Sequence, residues 1–154
     1  MRRETRHTTT VALVALFLAL AGSAHAGNAL VGSLDDDYGK TVRIYRSGDE
    51  GIVGVSVYDD GESHIALLSK SQARTLASML ESGWRKRANF ARNTVTGSVN
   101  GPDGSRAMVA VVPEPAPLQV SLAVSDPQNG MAASFWSSVG DIRYLAATLR
   151  RAAQ

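Results

Sequence analysis

Cysteine is absent from the chain, which excludes disulfides, thiolate metal sites and a lipid-modified N-terminal cysteine. The nucleophile signature G-x-S-x-G is missing too, and no acidic stretch has the D-x-[DN]-x-[DN]-G spacing of a calcium loop. The acidic runs at 35–37 and 59–62 therefore read as solvated turns that keep sheet edges from pairing. Histidine is scarce: His7 and His25 lie in an N-terminal leader, which leaves His64. A general base needs a partner in reach. Ser63 and Asp60 are near in sequence, but alternate strand residues face opposite ways, so adjacency makes no triad and His64 reads as an ordinary polar strand residue. The sequence assigns no catalytic residue, no metal ligand and no cofactor.

A long apolar run is also missing. The apolar stretch at 11–21 falls short of the about 20 residues that span a bilayer. It follows Arg2, Arg3 and Arg6 and ends in Ala24-His25-Ala26, the order of a secretory signal peptide. The expectation is a signal peptide over 1–26, cleavage between Ala26 and Gly27, and a mature protein in the periplasm or secreted, with no membrane anchor. Net charge is the last thing lacking. The leader holds three Arg and one Glu of the chain's 16 Lys+Arg and 14 Asp+Glu, so its removal leaves 13 of each. Whole-protein attraction to nucleic acid or anionic membrane thereby loses its basis. Removing 26 of 154 residues leaves 128, a size at which one core suffices without disulfides.

What is present is a duplicated pattern. SKSQARTLASML (69–80) and SVGDIRYLAATL (138–149) share Ser, Arg, Leu, Ala and Leu at matching places. Each puts apolar residues at i, i+3, i+4 and i+7: Ala73, Leu76, Ala77 and Leu80, then Ile142, Leu145, Ala146 and Leu149. Ser69 with Gln72 has capping-box spacing. Gly83 is a candidate helix end, although WRKRANFA could prolong the helix.

Four strand-like segments precede each helix. Val42 and Ile44 alternate with polar neighbours, Val53, Val55 and Val57 line one strand face, and Val120, Leu122 and Val124 repeat that face. Gly32-Ser33 matches Gly97-Ser98, and turn glycines Gly39 and Gly104 stand at the same offset. The offset grows from 65 through 67 to 69 residues along the alignment, with the insertions in turns, where sheets tolerate them. The predicted fold is α+β: two tandem ββββα repeats, about 30–83 and about 95–151, with antiparallel sheets each packed by one helix in a single mature domain, 27–154.

The segments that differ between the repeats are the candidate contacts. They are the acidic turn with Asp59, Asp60 and Glu62, the basic connection with Trp84, Arg85 and Arg87, and the proline turn around Pro115. Rim charges steer association, and aromatic residues anchor interfaces. The sequence thus predicts an exported, non-catalytic protein-binding module, a periplasmic inhibitor or immunity-type protein that blocks an effector or enzyme. Its expected partner is a protein rather than nucleic acid, with a homodimer also compatible. The competing readings are a periplasmic hydrolase with a loop-assembled site and a structural component of an envelope assembly.

Overall fold

The computed structural model describes residues 28–48, 50–113 and 118–154. The predicted signal peptide and Pro115 lie outside them.

Alternating apolar and polar residues build two antiparallel meanders. The first comprises β1 (Asn28–Asp35), β2 (Thr41–Ser47), β3 (Ile52–Asp59) and β4 (Glu62–Ser69). After helix α1 (Lys70–Lys86) and a 3-10 turn (Arg87–Asn89) come β5 (Thr94–Asn100), β6 (Arg106–Val112), β7 (Gln119–Asp126) and β8 (Gly130–Trp136), closed by α2 (Val139–Ala152). The two ββββα units are therefore present. Val42, Ile44, Val53, Val55 and Val57 are buried in the first sheet, and Val109, Val120, Leu122 and Val124 in the second. Burying each such side chain contributes roughly 1.5–3 kcal/mol.

Ser69 caps α1 through a capping box with Gln72, and Ser138 caps α2 by accepting from the Gly140 N–H. Gly83 does not end α1. It is buried within the last turn, three residues before the helix ends at Lys86, and a Cβ there would lie 3.3 Å from Val109 Cγ1. The glycine serves close packing of helix on sheet.

Each helix lies on the sheet of the other half. α1 packs against β5 and β6, and α2 against β1 and β2, while the two helices pack on each other. Matching glycines in the first strand of each sheet admit them. A Cβ at Gly32 would come within 2.8 Å of Thr148 Cγ2 and Tyr144 Oη, and one at Gly97 within 2.8 Å of Met79 Sδ. The buried stripes of both helices and the inner faces of both sheets form one continuous core.

Two turns fasten the halves together. The β1–β2 turn docks on β8: Asp37 N–H donates to Phe135 O at 3.1 Å, and Phe135 N–H donates to Asp36 Oδ2 at 3.1 Å. Asp36 Oδ1 also accepts from the Tyr38 and Lys40 N–H groups at 2.8 Å, and Asp37 Oδ2 accepts from Ser137 N–H and Oγ at 2.9 Å. The β5–β6 turn docks on β4, where Leu67 N–H donates to Ser105 Oγ at 2.9 Å. Ser105 Oγ donates in turn to Asp103 Oδ1. Edge-strand N–H groups that would otherwise be buried without partners are thus satisfied from across the molecule.

This corrects one expectation. Asp36 is buried and Asp35 O accepts from the Trp136 indole at 3.2 Å, so the 35–37 run, with Asp35 and Asp37 still exposed, is also a latch. A carboxylate can be buried when several N–H groups point at it.

Candidate protein-binding surface

The acidic hairpin between β3 and β4 is held by a two-residue loop. Asp60 and Gly61 both have left-handed backbone, with φ of +46° and +88°, the geometry that suits the twist of paired strands. Asp59 is not a free charge. Its Oδ2 lies 2.9 Å from Lys40 Nζ, which also donates to Ala133 O at 3.1 Å. That lysine ties the hairpin to the other half, leaving Asp60 and Glu62 to project.

His64 departs from its expected role as an ordinary polar strand residue. It is only 6% exposed, because it shares the core face of β4 with Ala66 and Leu68 and is paired with Val57. Its Nε2 stands 4.0 Å from Glu62 Oε2, and among the described residues Nδ1 has no hydrogen-bond partner. No cluster of three metal-ligating side chains occurs among the described residues.

The basic connection begins in the last turn of α1. Trp84 is half-buried against the core. The Arg87 guanidinium lies over its ring, 3.9 Å from the centroid, and Arg87 Nη1 donates to Trp84 O at 2.6 Å. Arg87 and Trp84 therefore hold one another in place at the surface. Arg85, Lys86 and Arg92 are exposed. Among the described residues they make no salt bridge.

The nearest acidic group on α1 is already committed. Glu81 takes a bidentate pair from Arg150 of α2, with both N–O distances 2.7 Å. Hydrogen bonding from Arg150 holds the Glu81 carboxyl below the ordinary glutamate value, against a smaller opposing effect of burial, with Arg85 and Arg143 adding attraction.

Beside these cations an open cleft of about 280 Å³ runs between the end of α1 and the start of β5. Ser82, Gly83, Lys86, Phe90, Val95 and Thr96 line it. Its shape follows from two local features. Gly83 draws the helix close to the sheet, and a bulge between Val95 and Gly97 interrupts the β5–β6 register. Val95 is left 60% exposed, and Thr96 Oγ1 is turned to donate to Val109 O at 3.2 Å.

β6 ends and β7 begins at the same end of the second sheet. β6 ends at Val112 and β7 resumes at Gln119, while Thr94 pairs with Val111. Gln119 is bonded in turn by Tyr38 Oη at 3.2 Å and bonds Asp37 Oδ2 at 3.1 Å. The β1–β2 latch, with Lys40 in it, thus stands between the acidic hairpin and the start of β7. Phe90 lies in the basic connection WRKRANFA that the sequence singled out, whereas Val95 and Thr96 were not legible. Their only signal was an apolar residue and a threonine beside a strand glycine, which a half-buried strand shows as well.

No protein-family model, curated protein or solved structure matches the chain. No helix among the described residues is long and apolar enough to cross a membrane.

Proposed function

We propose that this chain is an exported protein-binding module, an inhibitor or immunity-type protein that acts in the periplasm by occupying an effector or enzyme. The observation that carries the reading is the exposed trio Arg85, Lys86 and Arg92 beside an apolar-walled cleft, with no salt bridge to any of the three among the described residues. Asp36, Asp37, Lys40, Asp103 and Ser105 hold the two halves together. Unpaired surface cations attract an anionic protein face and govern association rate, whereas a filled cleft governs dissociation.

The test begins with capture of a partner on the immobilised mature protein from a periplasmic extract, followed by surface plasmon resonance with the purified partner. Arg85→Glu combined with Arg92→Glu should slow association about tenfold and weaken its salt dependence. The captured enzyme or effector should lose activity in proportion to bound protein. Unchanged kinetics in the double variant, or a partner whose activity is unaffected, overturns the reading. Export is checked by intact mass, expected to begin at Gly27.

A further inference from the structure

We infer that the cleft between α1 and β5 receives a single aromatic or aliphatic side chain from an acidic stretch of a protein partner. This inference rests on the protein-binding reading and specifies its contact. Volume sets the first limit: about 280 Å³ lies just below the roughly 300–1,000 Å³ of small-molecule pockets, so it suits one large side chain. Chemistry sets the second. Phe90 and Val95 give the walls apolar area, and Gly83 lines the cleft where the helix packs close to the sheet. Thr96 has its hydroxyl turned toward Val109 O, which directs the donor into the sheet.

Charge decides what flanks that side chain. Lys86 lines the cleft itself, and Arg85 and Arg92 are exposed on the segments that bound it. Glu81 is paired with Arg150, and Arg85 is attracted to it without forming a salt bridge. The other end of the helix pair shows what bound cations look like. There Lys70 Nζ donates to Gln154 O at 2.9 Å and Arg74 Nη2 to Ala153 O at 2.6 Å, on the carbonyls that end α2. At the end of α1, among the described residues, Arg87 plays that part through Trp84 O. Among the described residues Arg85, Lys86 and Arg92 thus make no salt bridge, and Lys86 stands at a hole of one-side-chain size. An acidic segment supplies the carboxylates and its apolar residue supplies the plug.

The experiment uses the ¹⁵N-labelled mature protein and three synthetic peptides of equal length. One has a central Phe flanked by Glu on both sides, the second replaces Phe with Ala, and the third replaces every Glu with Gln. The first peptide should shift the amide signals of Gly83, Phe90, Val95 and Thr96 in a saturable way. The other two should bind at least about tenfold more weakly, as should the first peptide to a Lys86→Glu protein whose remaining spectrum is unchanged. Equal binding of all three peptides, shifts mapping elsewhere, or no shifts overturn the inference. An oligothymidylate that moves the same signals more strongly than the acidic peptide overturns it as well. If a captured protein still binds while the acidic peptide does not, the cleft assignment falls and the protein-binding reading stands. If the capture experiment fails with the peptide bound at the cleft, it is the inhibitor reading that falls.

Discussion

The two latches occupy equivalent turns but use different atoms. In the β1–β2 turn the first position, Asp36, supplies a buried carboxylate to Phe135 N–H of β8. In the β5–β6 turn that position is Gly101, and the acceptor is the Ser105 hydroxyl at the turn's last position, bonded by Leu67 N–H of β4. Both turns keep a left-handed glycine, Gly39 at φ +84° and Gly104 at φ +86°. Backbone shape is therefore the shared requirement, and the requirement on side chains is only that some oxygen meet the edge-strand N–H. The choice has consequences. Asp36 holds its turn together from inside, whereas Gly101 leaves room for Leu67 O and Ser105 Oγ to close in.

Separating the halves is the strongest way to break the comparison. A fragment of residues 28–92 keeps β1–β4 and α1, but α1 has lost the sheet it covers and β1–β2 the helix that covers them. It should give no folded monomer, because an amphipathic helix is held mainly by packing of its apolar face. Circular dichroism with sedimentation reads this, and a monomer with a cooperative melt refutes the exchanged packing.

Gly101→Ala should come next, at about 3 kcal/mol or more, since the new Cβ would overlap the rigid backbone oxygen of Leu67. Urea unfolding measures it. A loss below about 1 kcal/mol would show that the turn adjusts more easily than tight packing allows.

The acceptors themselves should separate by charge. Asp36→Ala removes an ionised group that takes three N–H groups and should cost about 3 kcal/mol, whereas Ser105→Ala removes a neutral hydroxyl and should cost about 1 kcal/mol. Equal losses in the same urea assay would mean that the two latches are energetically alike despite their chemistry.

The smallest effect belongs to the ion pair joining the helices. Glu81 and Arg150 are 34% and 43% exposed at their side chains, so Glu81→Gln should cost no more than about 1 kcal/mol. Its sign with pH is fixed by the direction of the shift. Arg150 lowers the folded pKa of Glu81, so the contribution is complete above the ordinary glutamate value. It is lost as pH falls through the lowered folded value. The gap between the unfolding curves of the wild type and the Glu81→Gln variant should close on acidification. A gap that widened would refute the pairing.

The same contrast between local and distant partners explains how far the sequence could be read. Strand alternation at Val53, Val55 and Val57, the Ser69–Gln72 capping box and the matched turn glycines depend on neighbours within a few residues, and all were legible. The basic connection was legible as well, but the cleft beside it was not. It needs Gly83 of one half to meet Val95 and Thr96 of the other. Trp84 was legible as a candidate contact, but its stacking on Arg87, three residues on, was not.

The chain by itself determined two units of four strands and a helix, since periods of 2 and 3.6 residues and turn chemistry are local properties. Tertiary structure decided which sheet each helix covers. An apolar stripe says that a face must be buried but not by what, and Gly32 and Gly97 become helix seats only once Thr148 and Met79 arrive from the opposite half. It also decided the fate of the aspartates. Asp36 looks like a surface charge until the N–H group of Phe135, 99 residues away, turns toward it and makes its burial favourable, while Asp37 stays exposed and accepts from Ser137 N–H, 100 residues away.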